Sequence, residues 1–233
     1  MSYVEHPPPP GLAPWLECTW ERRGDHRPVR VLPDGCVDIV WIEGVGTQVV
    51  GPNTTAFVVA LPPGTRVAGA RLRPGAAPGL FGLAPESVVD ARVPVDDVWA
   101  ADGQRLAESL ELAADPVSGI RGWLGRRAAQ AGQPDLLVRE AILRLGRPDV
   151  EIRRLADELC LSERQLHRRV AAAVGYGPKR LARVLRLQRA LAAGRAGDDL
   201  VRAALEAGYC DQAHFANDCR ALAGLPPTLV LAG

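Results

Sequence analysis

The most informative segment of the chain spans residues 152–175 and reads IRRLADELCLSERQLHRRVAAAVG. Apolar residues in its first part recur at i, i+3, i+4 and i+7, which predicts one buried helix stripe made of Ile152, Leu155, Ala156 and Leu159. After a short turn, Ser162 and Gln165 have the spacing of a capping box at the start of a second helix. That helix buries a second stripe and ends at Gly175. The segment is therefore predicted to be a helix-turn-helix unit.

A second unit of the same kind is predicted near the end of the chain. Apolar residues line one helix from Leu200 to Ala207, a turn follows at residues 208–210, and Asp211 caps the next helix. The chain from Pro178 to Gly194 between the two units has the pattern of one long helix. A rigid connecting helix of this kind would place two recognition helices in successive major grooves, about 34 Å apart.

The positive charge of the chain is concentrated in its second half. The formal net charge of the whole chain is only +1, but residues 134–233 hold 16 Arg and Lys against 12 Asp and Glu. Residues 164–189 contain no acid and eight basic residues, namely Arg164, Arg168, Arg169, Lys179, Arg180, Arg183, Arg186 and Arg189. A local positive field attracts phosphate backbones whatever the overall charge, which favours nucleic-acid binding. The alternative is a solvated helix face, although such faces usually interleave acids with the arginines.

Two arginines of the second helix are candidates for direct contact with bases. Arg164 and Arg168 are separated by one helical turn and point away from the predicted apolar stripe, with His167 beside them. Two guanidinium groups near a helix N-terminus suit bidentate contact with guanine in the major groove. The alternative is that they bind only phosphates.

The first half of the chain is predicted to contain strands followed by helices. The segment from Val29 to Ile42 has the pattern of a hairpin with a turn at Pro33, Asp34 and Gly35. Three short apolar segments follow, at Gln48–Gly51, Ala56–Leu61 and Val67–Leu72. Short strands at close spacing predict a small β-barrel or sandwich. Apolar residues then recur at helical spacing from Val95 onwards, as in a helical hairpin.

We therefore predict an α+β chain of two domains. An effector-sensing or dimerisation domain covers residues 1–133, with strands to about residue 94 and helices over 95–131. An all-α domain of two helix-turn-helix units covers residues 134–233. The Gly- and Pro-containing segment 131–134 is the expected linker between them.

The C-terminal segment resembles the AraC/XylS family of bacterial transcription regulators. The resemblance rests on six blocks in the same order and spacing, namely Leu155-Ala156, Leu161-Ser162, RLQRA at 186–190, AGY at 207–209, DQAHF at 211–215 and GLP at 224–226. It implies two DNA-binding helix-turn-helix units and a cupin-like N-terminal domain that senses a ligand or dimerises. By position in the motif it also implies base contacts from Arg164, His167 and Arg168, and matching positions at Gln212, Ala213, His214, Ala216 and Asn217. Arg169, Lys179 and Arg180 are assigned to DNA as members of the basic segment.

The sequence departs from the family pattern in ways that bear on function. Cys160 stands where the family often has Gly, so the first turn is expected to hold a residue in an unusual conformation. Cys219 replaces a usual aromatic residue, which leaves less volume in the core beneath the second helix. Residues 198–224 hold five acids against Arg202 and Arg220. We expect the first unit to supply most of the affinity and the second to read DNA weakly, through Gln212 and Asn217.

Four residues of the first half are candidate ligand contacts. They are two tryptophans of the predicted β-rich shell and two polar residues after the turn, namely Trp20, Cys36, Asp38 and Trp41. The alternative for the tryptophans is plain core packing. A thiol- or metal-responsive site made of Cys18, Cys36 and Asp38, with His6 or His26, is a second possibility. A small buried cysteine is the more common case, and no metal or cofactor is expected.

The leading functional hypothesis is a sequence-specific transcription regulator without enzymatic activity. The chain has no HExxH motif, phosphate-binding Gly loop or Ser/His/Asp arrangement. A Cys-dependent enzyme domain joined to a DNA reader is the alternative. The expected partners are double-stranded DNA, a small-molecule effector, a second copy through helices 95–112 and 117–127, and RNA polymerase if the protein is an activator. Prolines interrupt the longest uncharged run, at 44–65, so no membrane span is expected and a cytoplasmic location is predicted.

Overall fold

The strands of the first half form two antiparallel sheets. The computed structural model describes residues 3–25 and 27–232. Within them the strands are β1 (Tyr3–His6), β2 (Leu16–Arg23), β3 (Val29–Val31), β4 (Asp38–Ile42), β5 (Gly46–Val50), β6 (Phe57–Val59), β7 (Arg66–Leu72) and β8 (Arg92–Pro94). Six of them pair in the order β1-β2-β7-β4-β5-β8, and β3 and β6 form a separate two-stranded ribbon.

Helices make up the rest of the fold. They are α1 (Ala77–Phe81), α2 (Val95–Glu111), α3 (Pro116–Gln130), α4 (Leu136–Leu145), α5 (Ile152–Glu158), α6 (Glu163–Val174), α7 (Pro178–Arg195), α8 (Leu200–Glu206), α9 (Gln212–Asp218) and α10 (Pro227–Ala232). A π-helical turn over Cys219–Ala223 continues α9. The last strand, β8, ends at Pro94, and only helices follow it in the part of the chain that the structure describes, although the short helix α1 lies earlier, between β7 and β8. None of the helices in the described ranges has the length and apolar composition needed to cross a bilayer.

The hairpin predicted between Val29 and Ile42 is wrong. Strand β3 pairs with β6, so that Val29 lies opposite Val59, whereas β4 pairs with β5 and β7. The turn chemistry itself is present, since Asp34 Oδ1 accepts a hydrogen bond from the backbone N–H of Cys36 at 2.9 Å. The chain leaves this turn for a different sheet because Val29 and Val31 cover the face of the main sheet instead of extending it.

The two faces of the main sheet have different coverings. Ile39 and Trp41 point to one face, where they join the largest hydrophobic core together with residues of α1, α2 and α3. Val40 points to the opposite face with Trp20 and Val67. Side chains alternate along a strand, so one sheet supplies both the core of the domain and the wall of a second compartment.

The helical half contains two cores that share helix α7. The first core joins α4, α5, α6 and the beginning of α7, and the second joins the remainder of α7 with α8, α9 and α10. The capping box is formed as predicted: Ser162 Oγ accepts a hydrogen bond from Gln165 N at 3.2 Å, and Ser162 N donates to Gln165 Oε1 at 2.8 Å. Gly175 ends α6 with a φ of 92°. The prediction of two helix-turn-helix units joined by a long helix is confirmed.

The ribbon contacts the second helical core. Arg30 Nη1 donates to the carbonyl of Ala223 at 3.0 Å, and the backbone N–H of Ala56 donates to the carbonyl of Leu222 at 2.6 Å. Leu32, directly after β3, packs against the same core. The π-helical turn after α9 is therefore bonded to the strand half of the chain, and the second unit does not stand free.

We predict that Cys160→Gly raises the free energy of unfolding. Cys160 has a φ of 55°, a left-handed conformation that costs a residue with a Cβ about 1–2 kcal/mol. The larger entropy of glycine in the unfolded chain offsets part of this gain, so we expect an increase of about 1 kcal/mol or less in urea unfolding. Cys210→Gly is the matched control, because Cys210 lies in the second turn without a positive φ and should lose stability. Equal effects of the two substitutions would contradict the prediction.

Candidate nucleic-acid interface and ligand cavity

The two predicted base-contacting arginines are exposed on helix α6. Arg164 and Arg168 lie on the solvent side of the helix, while Leu166 and Val170 are buried beneath it. Neither arginine makes a hydrogen bond or ion pair with another described residue. Lys179 and Arg180, in the first turn of α7, are also exposed. This end of the helical half therefore presents cations whose charge is not neutralised within the described chain.

Two other predicted DNA contacts on α6 have partners within the chain. Arg169 Nη1 lies 3.6 Å from Asp135 Oδ2, before helix α4. The ring of His167 lies on the backbone of Gly177, where a Cβ would come within 2.4 Å of His167 Nε2. Because only glycine fits beneath this ring, His167 packs α6 against the beginning of α7 while part of its side chain stays exposed.

The last three arginines of the basic segment bind the second unit. Arg183 Nε donates to Asp218 Oδ1 at 2.6 Å, and Arg189 Nη1 donates to the carbonyl of Ala207 at 3.0 Å. Arg186 Nη1 donates to the carbonyl of Gly208 at 3.3 Å. The eight basic residues of segment 164–189 therefore do not all face outward. The segment combines an exposed part on α6 and early α7 with a structural part on later α7.

Asp218 is a buried acid, which corrects the expected charge of the second unit. Its side chain is 6% exposed and lies between Arg183 and Arg186, and Tyr209 Oη donates to Asp218 Oδ2 at 3.2 Å. Burial and the neighbouring carboxylate raise the pKa of Tyr209 well above its ordinary value, so the phenol keeps its proton. Asp218 thus adds no negative charge to the outer face of α9.

We predict that Asp218→Asn lowers the free energy of unfolding by about 1–2 kcal/mol, because it removes the charge partner of the partly exposed guanidinium groups of Arg183 and Arg186. The measurement is urea unfolding followed by far-ultraviolet circular dichroism. Asp198→Asn is the control, since Asp198 is exposed and should change stability by less than about 0.5 kcal/mol. A loss of similar size in both variants would show that the buried cluster has no special role.

The second recognition helix offers little charge to DNA. Gln212, Ala213 and Asn217 are exposed on α9, and Ala216 is half-buried. The ring of His214 lies edge-on against Tyr209, with ring centres 5.0 Å apart, so this side chain is partly used within the protein. Short polar and alanine side chains therefore dominate the outer face of α9, in contrast to α6.

A cavity of about 480 Å³ lies between the main sheet and the ribbon. The ribbon contributes Val29, Val31, Phe57 and Val59 to its wall, and Val40 and Val50 face them from the main sheet. Gln188 and Arg195 of α7 complete the lining, so both halves of the chain contribute to the cavity. Volumes of this size and apolar walls with a few polar groups are typical of small-molecule sites.

The polar residues at one part of the cavity wall surround Arg71. Its guanidinium lies 3.3 Å from Asp34, 3.4 Å from Asp38 and 3.8 Å from Glu5. Burial raises the pKa of Asp38 to about 6, although Arg71 opposes the shift. One guanidinium shared by three carboxylates leaves the charged form of Asp38 incompletely stabilised.

Two of the four candidate ligand residues line this cavity and two do not. Trp20 and Asp38 contribute to the wall. Trp41 lies on the opposite face of the sheet, where its Nε1 donates to Glu111 Oε1 at 3.1 Å. Cys36 is buried outside the lining, because it precedes β4 at the turn held by Asp34. Trp41 and Cys36 therefore do not line this cavity.

The lining residues that sequence reasoning missed come largely from the ribbon and from arginines. The sequence did not predict Arg30, Phe57 and Arg92 as lining residues. In the structure the guanidinium of Arg92 stacks 3.6 Å from the ring centre of Phe57. The alternation Val29-Arg30-Val31 is a strand signal, but its pairing with residues 57–59 depends on a long-range contact. No local pattern identifies that partner.

The structure does not form the proposed cysteine or metal site within the part of the chain it describes. No group of three His, Cys, Asp or Glu residues there is placed to hold a metal ion. Burial raises the pKa of Cys18 to about 11 and that of Cys36 well above its ordinary value, which keeps both thiols protonated and poorly reactive. His6 lies 3.2 Å from Glu21, and His26 falls outside the described residues.

Comparison with known proteins relates both halves to established families. Residues 155–232 match a family described as a helix-turn-helix domain, and residues 4–94 match a domain of unknown function, DUF6597. No protein of curated function gave a match. An apo variant of ToxT from Vibrio cholerae is 10% identical, with a TM-score of 0.51, covering 100% of this chain and 97% of that one. ToxT bound to an unsaturated fatty acid is 11% identical, with a TM-score of 0.47 and coverages of 99% and 95%.

The fold and the helical site together define a DNA-binding transcription regulator, with two helix-turn-helix units after a sheet domain. The C-terminal motif blocks, the match over residues 155–232 and the formed double unit identify an AraC-type helix-turn-helix domain. The resemblance to the AraC/XylS regulators therefore holds for residues 155–232.

Proposed function

We propose that the protein recognises a specific DNA sequence chiefly through helix α6. The observation that carries this proposal is the pair Arg164 and Arg168, exposed at one-turn spacing on a capped helix and without a partner in the described chain. Lys179 and Arg180 would bind the adjacent phosphates. Helix α9 would enter the next major groove and contribute a weaker reading through Gln212 and Asn217.

We propose that the boundary between the sensing domain and the DNA-binding domain lies at the linker near residue 133. Residues 1–133 form the sensing domain, and residues 134–233 bind DNA. Homodimerisation through α2 and α3 and contact with RNA polymerase stay predictions from the sequence.

The ligand we propose for the cavity is an apolar small molecule that carries a negative charge. Most of the wall is aliphatic or aromatic. Its charged members are five arginines, at positions 22, 30, 71, 92 and 195, and three acids, at positions 5, 34 and 38. Because all three acids already share Arg71, the other arginines leave the cavity with an excess of positive charge.

The ribbon is the element that would transmit occupancy of the cavity to DNA binding. Its inner side chains line the cavity, while Arg30 and the backbone of Ala56 bond to the carbonyls that follow α9. A ligand that displaces the ribbon would therefore move the second unit relative to the first. Coupling of this kind changes affinity only if the ligand binds the two arrangements unequally.

We predict that Arg164→Ala and Arg168→Ala each cost about 1–3 kcal/mol in discrimination of the preferred duplex from random DNA, and that Asn217→Ala costs much less. The duplex is first selected from random sequences by the purified protein, and affinities are then measured by fluorescence anisotropy at fixed salt. Arg27→Ala, at an exposed arginine between β2 and β3, is the control and should leave affinity unchanged. Equal losses for Arg164→Ala and Asn217→Ala would refute the asymmetry between the two helices.

A second prediction concerns the cavity and uses 8-anilinonaphthalene-1-sulfonate, an apolar anion, as the probe. We expect the probe to bind the full chain and to change affinity for the selected duplex by about fivefold or more. Val40→Trp should abolish probe binding by filling the cavity. Arg30→Lys keeps the positive charge at the cavity wall and should preserve probe binding, but it should reduce the effect of the probe on DNA, because the hydrogen bond from Arg30 Nη1 to Ala223 is lost. Probe binding with unchanged DNA affinity would show that the cavity is not coupled to the reader.

A further inference from the structure

A second, smaller pocket lies where strand β2 ends and β7 begins. Its volume is about 100 Å³, and three arginines of these two strands line it: Arg22, Arg23 and Arg66. Trp41 and the first residues of helix α3, Pro116 and Val117, form another part of the wall. The pocket is separate from the helix-turn-helix units, and none of its arginines has a role in the DNA contacts proposed above.

The three arginines form a concentration of like charge. Arg23 and Arg66 are directly opposite each other in the antiparallel register, an arrangement that destabilises a pair of strands. No carboxylate of the described residues lies within 4.0 Å of the nitrogens of any of these three guanidinium groups. Arg22 Nε is also buried and has no hydrogen-bond partner there, which is costly unless a further group satisfies it.

The acidic residues around the pocket are bound to other groups. Glu21 lies 3.2 Å from His6, and Glu43 Oε2 accepts a hydrogen bond from the backbone N–H of Arg66 at 3.0 Å. Asp115 caps α3 by accepting hydrogen bonds from the backbone and hydroxyl of Ser118. Glu21 itself lines the pocket, but none of these three acids forms an ion pair with the pocket arginines.

Arg66 is already positioned by contacts on the pocket wall. Its Nη2 donates to the carbonyl of Ala114 at 2.7 Å, and its guanidinium carbon lies 5.6 Å from the ring centre of Trp41. A guanidinium held in this way is pre-organised, so the binding of an anion does not include the entropy cost of ordering this side chain. Helix α3 begins at the same pocket, but Pro116 is its first residue and the Asp115 carboxylate already caps it, so the positive field comes from the arginines.

We propose that this pocket binds a small tetrahedral oxyanion, either inorganic phosphate or sulfate or the phosphate group of a small metabolite. The volume fits one such group and is too small for the ligand of the larger cavity. The anion neutralises the opposed pair Arg23 and Arg66, and Arg22 adds a third positive charge to the pocket wall. Arg22 lines both the pocket and the cavity, so the two sites share one side chain.

The experiment measures thermal unfolding of the full chain in increasing inorganic phosphate, with ionic strength held constant by sodium chloride. We expect phosphate to raise the Tm of the wild-type chain by a few degrees, because a ligand that binds only the folded state stabilises it. Without phosphate, Arg23→Gln should melt at or above the wild-type temperature, since it removes the repulsion. With phosphate it should melt below the wild type. A purely structural arginine would give a lower Tm in both buffers.

Matched variants and ligands distinguish an anion site from a general salt effect and from a DNA contact. Arg126→Gln, on α3 outside the pocket, should respond to phosphate as the wild type does. Arg22→Gln should weaken phosphate binding in calorimetry about tenfold, and comparison with sulfate and glycerol 3-phosphate distinguishes a free ion from a phosphate ester. An equal rise of Tm in wild type and Arg23→Gln, or no rise in either, would overturn the proposal. A fall in affinity for the selected duplex in Arg23→Gln would also overturn it, by assigning these arginines to the DNA backbone.

Discussion

Helix α7 is the element on which both DNA-binding units depend, and the buried carboxylate of Asp218 is what fixes the second unit to it. Leu181 belongs to the first helical core, while Val184 and Leu187 belong to the second. Apolar burial alone does not fix how α9 is rotated relative to α7. The charged hydrogen bond from Arg183 to Asp218 fixes this rotation, because a buried carboxylate is stable only where its charge is matched. The separation of the two recognition helices therefore rests on the ion pairs of Asp218 with Arg183 and Arg186 and on one continuous helix.

The same constraint decides what the basic segment is able to do. Arginines late in α7 face the second unit and satisfy the carbonyls of Ala207 and Gly208, which the end of α8 leaves open. Arg164 and Arg168 on α6 have no such acceptors among the described residues and remain exposed. Whether an arginine of α6 or α7 is exposed therefore depends on whether a polar group of another element packs against its turn of the helix. Charge counted along the sequence overstates the surface that is offered to a polyanion.

Local patterns predicted much of the helical half and less of the strand half. The capping box at Ser162, the glycine after α6 and the stripes of both units involve residues within one or two turns of each other, so the sequence is sufficient to find them. The alternation of β4 places Asp38 and Trp41 on opposite faces of the main sheet. Pairing of β3 with β6 joins residues about 30 positions apart through a cavity wall, and no short-range signal encodes it. The burial of Asp218 likewise depends on a partner about 35 residues away.

The ribbon shows how a small element joins the two halves. A two-stranded ribbon of three residues per strand is too short to be stable alone, so its position depends on what lies on either side. On one side the ribbon covers a cavity, so its inner side chains lack closely packed neighbours when the cavity is empty. On the other side it is bonded to Leu222 and Ala223 of the second unit. Because the cavity side is the weaker of the two attachments, filling the cavity is the change to which the position of the ribbon should respond most.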